Sequence, residues 1–351
     1  MGLYEEQIQQ INKDLPLSKL QGKSVLLSGA TGMIGKCLID ILMTFNQTVS
    51  NEQDRIHILA LSRNEERAKE RLNAYWEDAS FQYVCCDVNA SLPEIGDVDY
   101  IIHAASNTHP LQYAGDSIGT IASNVIGTKN LLDYAISHKT SRFCFVSSVE
   151  IYGENRGDIE KFDESYLGYI DCNTLRAGYP ESKRLGETMC HAYQQTHNLD
   201  FVIPRLSRVY GPTMLLSDSK AISQFIKKAA AGEDIVLKSE GTQCFSYSFV
   251  TDAASGVLYT LLLGESKNAY NIADSLSDIA LKDLAAILAG FSNKEVVFEL
   301  PSETERKGYS TATKAMLDAS KLESIGWHAH VHMEQGLACT VEKMKEVLFQ
   351  K

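Results

Sequence analysis

The chain has 351 residues, of which 44% are hydrophobic and 22% are charged, and its formal net charge is -12. This composition is ordinary for a globular protein and provides enough apolar residues for one large domain or two interlocked ones. The acidic balance provides no basic surface, so we expect neither nucleic acid nor an anionic membrane as a partner. An anionic ligand would have to be held by locally placed groups.

Targeting signals and disulfide frameworks are not indicated by the sequence. The start, MGLYEEQIQQINKDLP, lacks the order of basic, apolar and small residues that marks a signal peptide. No apolar run reaches the length of a membrane span. The eight cysteines form no CxxC pair and lie mostly in apolar segments, which favours reduced core thiols over disulfides. We therefore predict a soluble, cytoplasmic protein.

Predicted strands and helices alternate along the N-terminal part of the chain. A short polar helix over 4–14 precedes a buried strand, a glycine-rich turn and an apolar helix in LQGKSVLLSGATGMIGKCLIDILM. Further strands are predicted in RIHILALSR, FQYVCCDV, VDYIIHAAS and RFCFVSS, and further helices in NEERAKERLNAYW and TIASNVIGTKNLLDYAISH. Such alternation predicts an α/β fold, a Rossmann-type doubly wound parallel sheet.

The alternation loosens after the helix PESKRLGETMCHAYQQTH and the strand DFVIPRLSRVYGP. We predict an N-terminal helical extension over 1–20, a dinucleotide-binding domain over 21–205, and a smaller C-terminal α/β substrate lobe formed mainly by 206–351. We expect the segment 235–263 to complete the sheet of the dinucleotide-binding domain. No repeat or flexible linker is visible, so the parts should share one continuous interface.

The motif GATGMIG joins the first buried strand to the first apolar helix. Gly29 permits the tight turn, Gly32 lets the backbone approach a pyrophosphate, and Gly35 allows close helix packing. The phosphates would meet the N-terminus of a helix. The motif therefore predicts a dinucleotide site formed by Gly29, Thr31, Gly32, Met33, Ile34 and Gly35.

The end of the second predicted strand bears on the choice between NAD and NADP. An acidic residue there usually binds the adenosine ribose, but this chain has Ser62 and Arg63. A hydroxyl and a guanidinium suit a 2′-phosphate, so NADP is favoured over NAD, although Arg63 could equally be a solvated loop residue. Asp87 and Val88 follow the third strand and are expected to border the adenine.

The segment YPESK places Tyr179 and Lys183 four residues apart on a predicted helix, so that both side chains face the same way. A nearby ammonium favours the phenolate form of a tyrosine, which makes Tyr179 a usable general base or acid near neutral pH. Ser148, at the end of the fifth strand, could share the same substrate hydroxyl. The position of this pair after a dinucleotide fold favours a catalytic role over a chance spacing.

Eight segments in order resemble the extended short-chain dehydrogenases/reductases that act on nucleotide sugars, the NAD-dependent epimerase/dehydratase family. They are GATGMIG, DVN at 87, HAAS at 103, SNVIGTKNLL at 123, SSVEIYG at 147, YPESKR at 179, RLSRVYGPTM at 205 and FVTDAASGV at 249. The resemblance spans nearly the whole chain. It implies an NAD(P) fold with a C-terminal lobe that binds a nucleotide sugar, and hydride transfer at the C4 carbon of the sugar.

The resemblance also implies roles for individual residues. Ser148, Tyr179 and Lys183 correspond to the catalytic triad, and Asn124 to the supporting asparagine near the cofactor. The cofactor is further expected to contact Ala104, Ala105, Ser106, Asn124, Tyr179 and Lys183, and the substrate to contact Thr108, Ser148, Arg208 and Arg306. The family commonly forms homodimers through a four-helix interface, here the helix containing NLLDYAISH and the helix after Tyr179, although the same apolar faces could serve ordinary core packing.

Glu150 is the residue that distinguishes this chain within the resemblance. HAASNTHPLQY and YPESKR are most similar to UDP-glucuronate decarboxylases, and Ser148-Val149-Glu150 resembles the Thr-Asp-Glu or Thr-Ser-Glu of 4,6-dehydratases and decarboxylases. In the dehydratases this glutamate takes the C5 proton once C4 is a ketone, because the neighbouring carbonyl acidifies that carbon. The alternative is a loop glutamate that caps a turn.

Three positions depart from the pattern of these relatives. Val149 lies where a dehydratase offers an aspartic acid or a serine to the departing water. Phe245 lies where the family usually has an arginine that contacts the diphosphate and is implicated in protonating the decarboxylation product. Arg208 lies where a phosphate-binding asparagine is common, and it could grip phosphate instead or form a surface ion pair.

We therefore predict an enzyme that oxidises a nucleotide sugar at C4 and then dehydrates it across C4–C6 or decarboxylates it. The alternatives are a nucleotide-sugar 4-epimerase, an NADPH-dependent ketosugar reductase and, in another class, a non-catalytic NAD(P)-binding protein. We predict no metal site, because the histidines of HAHVH, at 328, 330 and 332, have no acidic or cysteine partners nearby in the sequence.

Overall fold

The computed structural model describes residues 2–108, 115–299 and 312–349. Its helices are α1 (Leu3–Asp14), α2 (Met33–Thr48), α3 (Glu65–Leu72), α4 (Ser117–Ser137), α5 (Gly178–His197), α6 (Ala221–Ala231), α7 (Val250–Leu263), α8 (Leu281–Gly290), α9 (Ser320–Glu323) and α10 (Met333–Phe349). Its strands are β1 (Ser24–Ser28), β2 (His57–Ser62), β3 (Phe81–Cys85), β4 (Tyr100–His103), β5 (Arg142–Phe145), β6 (Ser147–Ser148), β7 (Phe201–Leu206), β8 (Arg208–Tyr210), β9 (Ile235–Leu237), β10 (Cys244–Phe249), β11 (Asn268–Ile272), β12 (Asp278–Ala280), β13 (Val296–Phe298) and β14 (Lys314–Ala315). Across these described ranges, no helix combines the length and the apolarity that crossing a bilayer requires.

The main sheet is parallel and has the strand order β11-β7-β5-β4-β1-β2-β3, with the short β6 pairing beside β7. Its central strands are almost continuously apolar because helices cover both faces of a parallel sheet. The chain direction across the sheet reverses between β1 and β4. Open α/β sheets bind ligands outside the carboxyl ends of their strands at such a reversal. The predicted doubly wound fold is confirmed.

The expectation that 235–263 completes this sheet is wrong. The strand at that edge is β11, which pairs in parallel with β7 from Asn268↔Val202 to Ile272↔Leu206. The predicted segment instead contributes α7, whose Val250, Val257 and Leu258 are fully buried in the core beside the sheet. Apolar periodicity identified the buried segment, but a helix and a short strand both satisfy a buried apolar run.

The N-terminal extension packs into this core. Ile8 and Ile11 of α1 are buried, and the hydroxyl of Tyr4 donates a 2.6 Å hydrogen bond to the buried carboxylate of Asp40 on α2. The side-chain amide of Asn12 also donates to the carbonyl of Ile41, at 3.3 Å. The extension therefore belongs to the same structural layer as α2.

The C-terminal part adds a second core built from smaller sheets. β10 pairs with β8, β12 and β14, and β9 pairs with β13. Ile226 of α6, Leu288 of α8 and Leu337 of α10 are buried in one apolar cluster that covers them. The proposed division of the chain at 205/206 stays a prediction, since α7 and β11 lie beyond that boundary but pack with the main sheet.

All eight cysteines are free thiols, as expected for reduced residues. Cys37, Cys86, Cys144 and Cys190 are buried, which fits the predicted core thiols. Cys85 and Cys172 are exposed, so the core interpretation holds for only part of the set.

Candidate active site

A cavity of about 1170 Å³ lies between the carboxyl ends of the main-sheet strands and the second core. The loops after β1, β2, β3, β4 and β6 line one side of it. The start of α6, the segment after β9, and β10 line the other side. The structure brings these predicted residues together on its wall: Gly29, Thr31, Gly32, Met33, Ile34, Gly35, Ser62, Arg63, Asp87, Val88, Ala104, Ala105, Ser106, Thr108, Ser148, Glu150, Tyr179, Lys183 and Arg208.

The glycine-rich turn has the geometry that a pyrophosphate requires. Gly29 has φ +76°, and a β-carbon there would lie 2.8 Å from the backbone of Ala104 and Ala105. Gly32 caps α2, and a β-carbon on Gly35 would lie 2.3 Å from the carbonyl oxygen of Gly29. Side chains are therefore excluded where the backbone must turn and approach a phosphate at the α2 N-terminus. These residues fit a dinucleotide, and Ser106 presents a buried hydroxyl without a hydrogen-bond partner among the described residues.

A buried histidine fixes the strand ends behind this turn. His103 is fully buried, with Nδ1 2.7 Å from the hydroxyl of Ser28 and Nε2 3.0 Å from the hydroxyl of Thr128. Burial, with a smaller contribution from the charge of Lys183, lowers the pKa of His103 to about 3. The imidazole is therefore neutral and joins β1, β4 and α4, while the hydroxyl of Ser28 also accepts from the backbone N–H of Ala105.

The adenosine end of the cavity contains a mixed pair of charges. The guanidinium of Arg63 lies 3.7 Å from the carboxylate of Asp87, and both side chains are partly exposed. The hydroxyl of Ser62 lies 3.3 Å from that of Tyr83. Arg67, which the sequence analysis did not single out, also lines this end. An exposed ion pair of this kind contributes little to stability, so Arg63 can exchange Asp87 for a ligand at small cost.

The predicted triad meets at the opposite end of the same wall. Tyr179 and Lys183 lie one turn apart on α5, and both are buried. Ser148 caps the 3₁₀ turn Val149–Tyr152, where its hydroxyl oxygen accepts from the N–H of Glu150 at 3.3 Å. That bond uses an acceptor position of the hydroxyl and leaves its proton available to a substrate oxygen.

Lys183 is held by its surroundings in one position. Its ammonium donates to the carbonyl of Val146 at 2.8 Å and lies 4.7 Å from the ring centre of Phe145. Burial lowers the pKa of Lys183 to about 8, against the opposing charge of Glu187. The ammonium is therefore charged at neutral pH but poorly solvated, and a phenolate on Tyr179 would stabilise it.

Glu150 lies between two arginines. One carboxylate oxygen is 3.3 Å from Nη2 of Arg176, and the other is 3.6 Å from Nη2 of Arg208. The alternative that Glu150 caps a turn is not the observed role of its side chain. Arg176 was missed by the sequence analysis, although its place three residues before Tyr179 was a usable signal, because the turn leading into α5 had to lie beside the catalytic helix.

Arg208 packs on Phe245, the residue that lies where the resemblance led us to expect an arginine. Its guanidinium carbon lies 3.6 Å from the ring centre of the buried Phe245. A desolvated cation on an aromatic face stabilises the pair by up to about 2 kcal/mol. The departures at Phe245 and Arg208 are therefore coupled, because the phenylalanine on β10 supports the arginine on β8. Arg208 is not a surface ion pair.

Three predictions about individual residues have different outcomes. Thr108 lines the cavity, as expected for a substrate contact. Asn124 is fully buried and donates to the hydroxyl of Ser182 at 2.9 Å, so it links α4 to α5, and its expected contact with the cofactor stays a prediction. Arg306 lies outside the described residues.

The wall formed by the second core is locally basic despite the net charge of the chain. Lys220, Lys228 and Lys238 line it. Lys220 is paired with Asp218 at 3.1 Å and Lys228 with Glu233 at 3.0 Å. These residues, unlike the glycine turn, follow no spacing by which the sequence could have identified them.

Comparisons with known proteins agree with this geometry. UDP-glucuronic acid decarboxylase 5 of Arabidopsis thaliana is 28% identical over 324 residues, which is 92% of this chain and 89% of the relative. UDP-glucuronic acid decarboxylase 3 of the same plant is 29% identical over 322 residues, again 92% of this chain and 89% of the relative.

Solved structures with the same fold include members with other activities. A dTDP-glucose 4,6-dehydratase from Streptomyces venezuelae, solved with NAD, superimposes with a TM-score of 0.78 and 24% identity over 92% of this chain and 97% of that one. A UDP-glucuronic acid 4-epimerase from Bacillus cereus, also solved with NAD, gives a TM-score of 0.77 and 20% identity over 92% and 99%. The model of the NAD dependent epimerase/dehydratase family matches residues 25–273. The chain, with its glycine turn, buried Tyr179–Lys183 pair and parallel sheet, belongs to the NAD dependent epimerase/dehydratase family.

Proposed function

We propose that the protein is an NAD(P)-dependent enzyme that oxidises a nucleotide sugar at C4 and then uses the ketone for 4,6-dehydration or decarboxylation. The observation that carries the proposal is that Ser148, Glu150, Tyr179 and Lys183 line the same cavity as the glycine turn. Hydride-transfer residues and an additional carboxylate are thus available to one substrate. The decarboxylase relatives and the dehydratase structure support the same reaction class.

The oxidation uses the buried pair on α5. Tyr179 takes the proton of the C4 hydroxyl, Ser148 donates a hydrogen bond to the same oxygen, and the Lys183 ammonium stabilises the phenolate. When bound, the nicotinamide supplies the acceptor and later the donor of the C4 hydride. This step therefore depends on the lowered pKa of Lys183 and on the burial of Tyr179 and Lys183 away from water.

In 4,6-dehydration the second stage uses the carboxylate of Glu150, whereas in decarboxylation the bond from C5 to the carboxyl carbon breaks and the C5–H bond is kept. A ketone at C4 acidifies the neighbouring C5 proton, and a carboxylate in hydrogen-bond reach can accept it. Val149 is buried and aliphatic, so it cannot give a proton to a departing hydroxyl. For dehydration, Glu150 would both take the C5 proton and return it to the leaving oxygen.

A second candidate, 4-epimerisation, is favoured by the ion pairs of Glu150. A carboxylate bound on both oxygens by guanidinium groups can be a fixed counter-ion that neutralises Arg176 and Arg208. Epimerisation needs only removal and return of the C4 hydride. In that case Glu150 would shape the sugar site without taking a proton.

The product mass separates these candidates. The purified protein is incubated with UDP-, dTDP-, GDP- and CDP-linked sugars, including UDP-glucuronate, without added reductant. We expect loss of water or of carbon dioxide in one reaction. An isomer of unchanged mass would replace the main proposal with epimerisation, and no reaction with any sugar would contradict both.

The Glu150→Gln variant tests the role of the carboxylate directly. The amide cannot accept the C5 proton, so we expect the loss of water in 4,6-dehydration to fall by roughly 10²–10⁴-fold, the range for loss of a general base. C4 oxidation should persist and be visible in the absorbance of the reduced nicotinamide. An unaltered product yield would make Glu150 a structural residue.

For the cofactor we propose a preference for NADP over NAD. Arg63 and Arg67 both line the adenosine end, and Asp87 is the partner that Arg63 would release for a 2′-phosphate. Titrating the purified protein with each oxidised cofactor gives both dissociation constants. Tighter binding of NAD would contradict the preference.

We also propose that the nucleotide lies along the basic wall and that the protein resides in the cytoplasm.

We further propose that the protein forms a homodimer. This proposal is supported by apolar side chains exposed on α4, just before α5 and on α5, among them Ile118 (81% exposed), Leu175 (75%) and Leu185 (46%). These faces are the ones predicted to form a four-helix interface. Sedimentation equilibrium should give twice the chain mass, and a monomer would contradict the proposal.

A further inference from the structure

Arg208 carries hydrogen-bonding capacity that the fold leaves unused. Within the described ranges, its Nη1 is buried and has no hydrogen-bond partner, and its Nη2 approaches Glu150 only to 3.6 Å. A guanidinium stays charged at any working pH. Arg208 therefore places a permanent positive charge beside Glu150 in the cavity, and its ion pair with Glu150 is a long, weak one.

The position of this charge is set by the register of two strands. Arg208 on β8 is paired with Tyr247 on β10. Phe245 lies two residues earlier on β10 and so projects from the same face as Tyr247. The guanidinium carbon lies over the Phe245 ring, 3.6 Å from its centre. A side chain held over a ring in this way has fewer accessible rotamers than a free one, so the charge stays near Glu150.

The same geometry argues against the phosphate contact expected for Arg208. Glu150 lies two residues after Ser148 of the triad, in the 3₁₀ turn that follows β6. A guanidinium that touches Glu150 lies beside the reacting sugar carbons. The lysines of the basic wall are the groups that the second core offers to phosphates.

We propose that Arg208, held by Phe245, is a positioning residue for Glu150, and that with Arg176 it holds the Glu150 carboxylate in place as the base for C5. This inference rests on the proposed function. In the step concerned, the C5–H bond breaks, an O–H bond forms on Glu150, and the electron pair passes to the C4 carbonyl as an enolate.

The ligand-free test is chemical labelling of Glu150 with a water-soluble carbodiimide and glycine ethyl ester at mildly acidic pH. Carbodiimides activate accessible carboxyl groups, and peptide mass spectrometry measures the rate at this residue. In Arg208→Gln the rate should rise roughly fivefold, because a carboxylate released from a partly exposed ion pair is freer to react. Arg208→Lys keeps the charge and should lie nearer the wild type.

The Phe245 variants separate stacking from charge. Phe245→Leu retains both arginines but removes the aromatic face, and we expect a rise of about threefold, since a cation–π contact of moderate strength is lost. Phe245→Tyr restores the face and should match the wild type. Equal labelling in the wild type, Arg208→Gln and Phe245→Leu would overturn the proposal.

Arg156→Gln is the matched control. Arg156 also lies over an aromatic ring, 4.5 Å from the centre of Tyr169, and near a carboxylate, 3.9 Å from Glu154, but its side chain is largely exposed. Its replacement should leave the labelling of Glu150 unchanged. Thermal unfolding of every variant identifies any that fail to fold, and a misfolded Arg208→Gln leaves Phe245→Leu and Phe245→Tyr to decide.

The functional test uses UDP-glucuronate, UDP-glucose and dTDP-glucose in heavy water. In Arg208→Gln, kcat should fall and deuterium incorporation at C5 should be lost, while C4 oxidation persists. A raised KM with unchanged kcat would make Arg208 a substrate-binding residue and overturn the positioning role. If the wild type oxidises none of these sugars, the proposed function fails for them, whereas the labelling result still decides the role of Arg208.

Discussion

The two halves of the active site are built in different ways. The half that oxidises C4 consists of Tyr179 and Lys183, which lie one turn apart on a single helix, with Ser148 at the adjoining strand end. The half around Glu150 is assembled from a 3₁₀ turn, the segment before α5, and β8, which supply Glu150, Arg176 and Arg208. The first half needs one helix to be formed, whereas the second needs both cores to be in place.

The two halves also control charge by different means. Lys183 is a buried cation whose pKa is lowered to about 8 chiefly by desolvation. Glu150 is a partly exposed anion with two cations beside it. Burial strengthens the attraction of an ammonium for an anionic partner, whereas the two flanking cations hold the Glu150 carboxylate in place. A base for an O–H and a base for a C–H are thus prepared by opposite environments.

The largest effect is expected from removing the phenol of the first half. Tyr179→Phe should lower turnover by roughly 10²–10⁴-fold, the contribution of a positioned general base. Binding of the oxidised cofactor should stay within about twofold, because the glycine turn is untouched. Turnover follows from product analysis and binding from titration. Turnover that survives this substitution would show that Tyr179 is not the base.

The next largest effect tests how burial sets the first half. Because the Lys183 ammonium loses its proton as pH rises through about 8, C4 oxidation in the wild type should decline above that pH. Lys183→Met should lower the rate by roughly 10²-fold and remove this alkaline decline, since no ammonium remains to stabilise the phenolate. The measurement is the initial rate of nicotinamide reduction against pH.

Lys129→Met is the control for that experiment. Lys129 is an exposed lysine on α4 that is paired with Asp133, and it does not line the cavity. Its replacement should leave both the rate and the alkaline decline unchanged. A decline that persists in Lys183→Met would assign it to another group.

The smallest effect on chemistry, but a clear one on stability, is expected at the base of the second half. Tyr152 ends the 3₁₀ turn of Glu150, donates to Asn271 at 2.6 Å and accepts from Arg205 at 2.9 Å. Tyr152→Phe leaves these buried groups short of a partner and should lower the free energy of unfolding by about 1–3 kcal/mol. Denaturant unfolding measures the change.

Tyr166→Phe is the matched control, because Tyr166 also packs on Phe162 but its hydroxyl bonds are made near the surface, to Asp158 and Glu154. We expect it to change the free energy of unfolding by less than about 0.5 kcal/mol. C4 oxidation should be nearly unchanged in both variants. Equal destabilisation by both substitutions would show that the buried hydrogen bonds of Tyr152 contribute no more to stability than the surface hydrogen bonds of Tyr166.

Local patterns were sufficient for the sheet and the first half of the site. The glycine turn, the alternation of strands and helices, and the spacing of Tyr179 and Lys183 depend on neighbouring residues, so they can be read directly from the sequence. The same holds for the strand ends that deliver Ser62, Asp87 and Ser106 to one edge, since parallel strands present their carboxyl ends together.

Tertiary structure alone decided the remaining features. β11 completes the sheet through pairing with β7, and Asn124 on α4 bonds Ser182 on α5. The contact between Arg208 and Phe245 was decided by the pairing of β8 with β10, which places the guanidinium over the ring. The sequence by itself determined which residues could do chemistry, because that depends on their type and local spacing, whereas the partners of Glu150 were decided by contacts between segments distant along the chain.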